Sequence, residues 1–384
     1  MTHTPRRQFI KAASAGFCAA ACPLSLFANT GTQDARRTLI LIELHGGNDG
    51  LNTVIPSTDE LYYKLRPNIH IPRSQQLPLT SEIGLHPALK PLMGMFAQKD
   101  MAVIQGLGYD NPNRSHFRSI EIWDTASKSD EYLADGWLTH LNLKAAENQI
   151  TDAVVFGRNA APVLAPDNSM IVIDSIEQFY RQAKVIDAVD GQSRQSALSH
   201  LLKTQKETKA VAEQLKQKLS HKKLALPKFA GGDFGQQLQE AAKLILLGDT
   251  TPVIKVSLGS FDTHQNQKVV QGQLLAQFAE GLASFYQVIQ AAGLWDDVLL
   301  MTYSEFGRRV VENGSGGTDH GTAAPHFVFG GKVQGGIYGD QPLLTSLDNG
   351  DLKFTSHFKD YYQRVLTHWL GSTKILSSSS IPFV

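Results

Sequence analysis

Thr38-Leu-Ile-Leu-Ile-Glu-Leu44, followed at once by His45-Gly-Gly-Asn-Asp-Gly50, is the stretch on which the fold turns. The first half is nearly continuous in apolar and β-branched residues, the pattern of a strand buried on both faces, as in a parallel sheet. The second half bends through two glycines to polar side chains. Carboxylates and imidazoles delivered to loops at strand ends are how open α/β sheets assemble active sites, commonly around metal ions.

The same arrangement recurs along the chain. Further apolar runs occupy Met101–Leu107, Ala153–Phe156, Val253–Leu258, Val298–Tyr303 and His326–Phe329. Helical patterns separate them, at Pro87–Ala97, His116–Ala126, Gly136–Ala146, Phe234–Leu247, Val269–Ala292 and Phe358–Leu370. Alternating strand and helix implies a three-layer α/β/α sandwich built on buried parallel strands. From about 176 to 226 no strand is expected, and Ser196–Leu224 carries apolar residues at helical spacing with many lysines, among them Lys203, Lys209 and Lys216. That region reads as a helical insertion or cap with a solvated face.

Of the 384 residues, 36 are Lys or Arg and 36 are Asp or Glu, so no net field favours nucleic acid. The N-terminus, Thr4-Pro-Arg-Arg-Gln-Phe-Ile-Lys11, precedes a weakly apolar, uncharged segment to Phe27 that is too short to span a bilayer comfortably. Arg6 and Arg7 mark it as a twin-arginine signal peptide, residues 1–28, with cleavage expected after Ala28. The translocase of that route is the expected export partner, and the destination is periplasmic or extracellular. Lipidation at Cys22, after Ala19-Ala-Ala, is a weaker alternative. Cys18 and Cys22 are the only cysteines, so the mature domain, about 37–384, has no disulfide and no expected transmembrane span.

Five clusters follow or adjoin the apolar runs. In the first, Asp49 can point an oxygen at a cation, while Asn48 and Asn52 can hold an anion or simply carry the turn. In Asn113-Arg-Ser-His116, Ser115 opens a helix, where backbone N–H groups and the dipole favour an anion. It is either a nucleophile or an ordinary N-cap, and Arg114 and His116 beside it are candidate substrate-binding residues. Asp262 and His264 can face one cation from a loop, as zinc, manganese or iron would require. Glu305 ends another buried run, and Arg308 or Arg309 could pair with a phosphate or sulfate. The glycine-rich segment to Asp319 and His320 is expected to wrap a ligand. His326, opening an apolar strand, reads as structural.

Taken together, the twin-arginine leader, His45 to Pro56, Asn113-Arg-Ser-His-Phe117, Phe261-Asp-Thr-His264, Tyr303-Ser-Glu-Phe-Gly-Arg308, Asn313 to Gly321 and the tail Phe358 to Gly371 closely resemble the bacterial domain-of-unknown-function 1501 family. The resemblance implies the alkaline phosphatase-like superfamily of phosphatases and sulfatases, with an α/β/α sandwich and one or two divalent metal ions. Carried over, it makes Asp49 the first-strand ligand, Ser115 the nucleophile, and Asp262 and His264 ligands. Glu305 stands where relatives place the Asp of an Asp-His pair, with His320 as a late histidine ligand; in a second register Asp319-His320 is itself that pair. Phe306 departs from the first register, and the Asp262-to-His264 spacing is shorter than the relatives' pattern. The implied activity is an exported metal-dependent hydrolase of small anionic phosphate or sulfate esters. The alternative is a non-catalytic metal-binding or envelope assembly protein that retains the fold. An oxyanion block of the Ser-Gly-Asn-His esterases at Gly47-Asn-Asp lacks its nucleophile turn and its late Asp-x-x-His.

Overall fold

All seven residues of Thr38–Leu44 are buried, because they form the strand β1 at the middle of a nine-stranded sheet. A computed structural model describes residues 37–141, 143, 149–184, 196–221 and 224–384. The signal segment with Arg6, Arg7 and Cys22 lies outside the described residues. The central strands are, in chain order, β1 (Thr38–Leu44), β2 (Met101–Gly108), β3 (Ala153–Phe156), β4 (Met170–Ile173), β5 (Val253–Leu258), β6 (Val298–Tyr303), β7 (Ala324–Phe329), β8 (Gly336–Tyr338) and β9 (Ser356–His357). Their spatial order is β8-β2-β7-β6-β1-β5-β3-β4, and β9 also pairs with β2.

Ile40 sits opposite Ile254 of β5 and Leu300 of β6, both in parallel register. Only β7 runs the other way, antiparallel to both β2 and β6. This corrects the expectation of parallel strands throughout. Continuous apolarity reports burial on two faces, and β7 is buried on both while pointing backward.

The helices are α1 (Gly50–Thr53), α2 (Glu60–Leu65), α3 (Met93–Ala97), α4 (His116–Thr125), α5 (Ile176–Ala183), α6 (Ser196–His221), α7 (Gly232–Leu246), α8 (Gln267–Ala291) and α9 (Phe358–Arg364). Strand side chains alternate between faces, and two cores result. Ile40, Ile42, Ile254 and Val256 pack with Leu238 of α7 and Phe278 and Leu282 of α8. Leu39, Leu41, Leu299 and Met301 pack with Trp123 of α4 and Tyr361 and Tyr362 of α9. Helices therefore cover both faces of a mixed sheet, which is the expected three-layer α/β class. Truncating one such core leucine to alanine would cost about 2–5 kcal/mol.

The helix expected over Gly136–Ala146 is not present in its described part. Trp137 stacks on Tyr362 at 3.9 Å between centroids, and its backbone N–H donates to the Asp124 carbonyl at 2.9 Å. Tertiary packing thus overrides local helical spacing there. The edge strand β4, half-exposed, has no counterpart in the sequence reading. Within 176–226 the described residues contain α5 and α6. Among the described residues, no helix is long and apolar enough to cross a membrane.

The topology has one consequence for chemistry. β1, β2, β5 and β6 all end at the same edge of the sheet, delivering His45–Gly50, Tyr109–His116, Phe261–His264 and Ser304–Arg308 there. Because β7 is reversed, the segment that leads into it, Thr318–Gly321, arrives at that edge too.

Candidate metal centre

These loops approach one another more closely than side chains would allow. Gly46 adopts φ +114°, and a Cβ on it would lie 2.4 Å from the Asp262 nitrogen. A Cβ on Gly317 would lie 2.3 Å from the His264 carbonyl carbon. At Gly317 the glycine-rich segment before His320 therefore serves loop-against-loop packing. Arg308 is fully buried and binds the result together. Its guanidinium donates to the carbonyls of Gly46, Gly47 (2.7 Å), Phe261 (3.1 Å) and Thr318 (2.9 Å), and to Asp262 Oδ1 at 2.6 Å.

Three imidazoles converge on Asp262. His116 Nε2 lies 3.3 Å from Asp262 Oδ2, while His264 Nε2 and His320 Nε2 lie 3.0 and 3.2 Å from Oδ1. Candidate ligand atoms of His116, Asp262 and His320 all fall within 4.8 Å of one another. His264 Nε2 is also 3.0 Å from His320 Nε2.

Each ring is held from behind at Nδ1: His116 by Glu305 Oε1 (2.9 Å), His264 by Asp319 Oδ1 (3.2 Å) and His320 by the Arg114 carbonyl (2.8 Å). An acceptor at Nδ1 sets the tautomer that leaves the Nε2 lone pair free, the outer arrangement typical of metal-binding histidines. His116 Nε2 is moreover buried with no hydrogen-bond partner. Imidazoles with one carboxylate suit zinc and similar divalent ions, so the residues fit a metal.

The electrostatics follow from the same contacts. Burial pushes the Glu305 carboxyl up, but hydrogen bonds from His116 and the Gly46 N–H outweigh it and hold the group below the usual carboxylate range. Burial also opposes ionisation of Asp262, yet Arg308 and then His320 bring it down to about 2. The Glu305 hydrogen bond raises His116, whereas burial lowers His320. Asp319 is lowered, first by the Asn313 amide.

Other residues singled out in the sequence are placed differently. Asp49 is 1% exposed; its oxygens meet Arg66 at 2.5 and 3.0 Å, cap α1 through the Leu51 N–H and accept from Gln267. It has no capacity left for a cation. Asn48 accepts from Gln271 at 3.0 Å and donates to Thr53, and Asn52 joins Arg66, Tyr62 and the Ile69 carbonyl. Both amides are buried structural links.

Glu305 faces His116 and the Gly46 N–H. Asp319 stands behind His264. Arg308 spends its donors on the loops. Ser115 is exposed at the start of α4, does not cap it with its side chain, and donates its N–H to Asn113 Oδ1 at 2.8 Å. His326 is buried against Trp123 and Tyr361, as a structural residue would be. What sequence reading missed is His116 as a member of the cluster; its only signal was the Arg-Ser-His triplet at a strand-to-helix turn.

Residues 173–350 match the family model described as "Protein of unknown function (DUF1501)". The DUF1501 match bears out the resemblance read from the sequence, and it takes in Asp262, His264, Glu305, Arg308, Asp319 and His320 but not His116. No curated protein matches the chain.

Solved structures similar to it include a protein in the alkaline phosphatase superfamily from Vibrio parahaemolyticus, at 10% identity and TM-score 0.36, over 81% of this chain and 64% of that one. The C-terminal periplasmic domain of EcEptC from Escherichia coli, in complex with Zn, aligns at 11% identity and TM-score 0.37, over 78% and 74%. The PsFucS1 sulfatase from Pseudoalteromonas sp. aligns at 9% identity and TM-score 0.38, over 88% and 68%.

Proposed function

We propose that this protein is a metal-dependent hydrolase of phosphate or sulfate esters, exported by the twin-arginine route that Arg6 and Arg7 suggest. The observation that carries the reading is the convergence of His116, His264 and His320 on Asp262, each ring anchored at its far nitrogen. A divalent ion held by these side chains would polarise an ester oxygen and offset the negative charge that develops on the transferring group.

The chain's own groups take the remaining parts. Glu305, Asp319 and the Arg114 carbonyl keep the three rings in one tautomer. Arg308 positions the Gly46, Phe261 and Thr318 segments and holds Asp262 ionised. Ser115 lies between Arg114, whose carbonyl holds His320, and His116, at the N-terminus of a ten-residue helix whose first N–H groups favour an anion. We assign it as nucleophile: its Oγ bonds to phosphorus or sulfur, the bond from that atom to the alcohol oxygen breaks, and the alcohol leaves with the proton the serine gives up. Water then releases the inorganic anion and restores the hydroxyl.

The test is elemental analysis beside activity on 4-nitrophenyl phosphate and 4-nitrophenyl sulfate. About one equivalent of metal is expected in the wild type and less than about a tenth of that in an Asp262→Ala, His320→Ala double variant. Turnover should vanish on chelation and fall at least about 1,000-fold in Ser115→Ala. A folded wild type that stays metal-free in metal-replete cells and turns over neither ester would instead support a non-catalytic envelope role.

A further inference from the structure

Beside the histidine cluster lies a pocket of about 570 Å³, a size ordinary for a small-molecule site. Phe306 belongs to both: its ring packs 4.9 Å from His116 and 4.6 Å from His320, and it lines the pocket. The Phe306 ring is therefore a wall common to both, and the pocket adjoins the place where a molecule would react at the cluster.

The charged part of the lining is three carboxylates against two cations. Asp110, Asp348 and Asp351 line it with Arg114 and Lys353; Arg114 is paired with Asp351 Oδ2 at 3.0 Å, and Lys353 donates to Ser346 Oγ at 3.2 Å. A second anionic group would meet net negative charge here. Asp351 is 4% exposed, yet its Oδ1 has no hydrogen-bond partner; the nearest cation, Arg309 Nε, is 3.6 Å away. A buried carboxylate oxygen without a donor is costly, and a ligand hydroxyl would satisfy it. Phe306, Phe354 and Tyr109 add ring surface to the same walls.

Acceptor-rich walls with aromatic faces and more carboxylates than cations suit a neutral, many-hydroxyl group. Resting on the ester-hydrolase reading, we infer that this pocket receives the alcohol portion of the ester and that this portion is a carbohydrate-type polyol. A site with an unpaired buried acceptor discriminates strongly against alcohols that lack the matching hydroxyl.

The experiment separates this inference from the ester reading by measuring binding without turnover. Ligand-observed NMR would be run on metal-loaded protein with glucose, galactose, N-acetylglucosamine and cellobiose. At least one is expected to bind the wild type, to bind Asp351→Asn at least about tenfold more weakly, and to be displaced by the 6-phosphate or 6-sulfate of the same sugar.

Because Asp351 is buried, an exposed pair, Asp110→Asn with Asp348→Asn, provides a second variant, expected to weaken binding about three- to tenfold with unchanged melting. Failure of every sugar to bind, or binding undiminished in both variants, overturns the inference even if nitrophenyl esters are hydrolysed. Sugar binding with no ester turnover upholds the pocket and removes the hydrolase reading instead.

Discussion

His116 Nδ1 stands 2.9 Å from Glu305 Oε1, a residue 189 positions away, while its Nε2 is buried beside Asp262 without a hydrogen-bond partner. In the proposed site Glu305 is thus the acceptor that orients the His116 ring. Glu305→Gln should weaken metal binding about 10–100-fold, because an amide can donate as readily as accept and no longer selects one tautomer. Competition against a chelator of known affinity measures this, and unchanged affinity would remove Glu305 from the outer ring of the site.

Asp49 and Arg66 form an ion pair with side chains 1% and 0% exposed. Arg66 also donates to the Val310 and Arg309 carbonyls, so the pair ties the turn after β1 to the chain beyond Arg308. Removing one partner strands a buried charge, and Arg66→Met should cost roughly 3–5 kcal/mol in urea denaturation. Asp49→Asn should keep wild-type metal content per folded molecule. Metal loss from folded Asp49→Asn would restore Asp49 as a ligand.

Two buried groups away from the centre should give stability opposite pH slopes. Burial, and then the Glu43 charge, push Asp124 from 3.8 up to about 7; burial pushes His326 from 6.5 down to about 3. The Asp124 contribution is full below about pH 4 and is lost as pH rises through about 7, whereas the His326 contribution is full above about pH 6.5 and is lost as pH falls toward 3. The stability difference between wild type and Asp124→Asn should therefore shrink from pH 4.5 to 8. That between wild type and His326→Phe should shrink from pH 7 to 4.5. Denaturation curves at three pH values read both, and flat differences would contradict them.

Gly317 has no room for a side chain against the His264 and Thr263 backbone. Gly317→Ala should push the Thr318–His320 segment off that loop, lowering both the melting temperature and metal affinity, the latter by at least about tenfold. An alanine variant with wild-type affinity would mean that His320 is not held in place by this contact.

Much of the architecture is legible in the residues themselves. The runs Thr38–Leu44, Ala153–Phe156, Val253–Leu258 and Val298–Tyr303 coincide with strands residue for residue, because burial on both faces demands mostly apolar side chains, and the charges inside them, Glu43 and Lys255, pair with each other. Over residues 136–141, the described start of the helix expected at Gly136–Ala146, helical spacing loses to the stacking of Trp137 on Tyr362, a contact between segments more than 200 residues apart.

The site divides in the same way. Sequence alone singled out the loops that meet at the candidate site, since imidazoles and carboxylates cluster where several apolar runs stop. It also determined a three-layer α/β chain with no cysteine beyond Cys22 to form a disulfide in the fold. Tertiary structure decided which carboxylate is free. Asp49 and Asp262 both follow buried strands, but Arg66 and Gln267 close around the first, while Arg308 leaves the second facing three histidines. It also decided that β7 runs backward and so brings His320 to the edge where His116 and His264 wait. Neither outcome is local: each depends on which distant segments meet, and partners far apart in the chain leave no periodicity for a sequence to display.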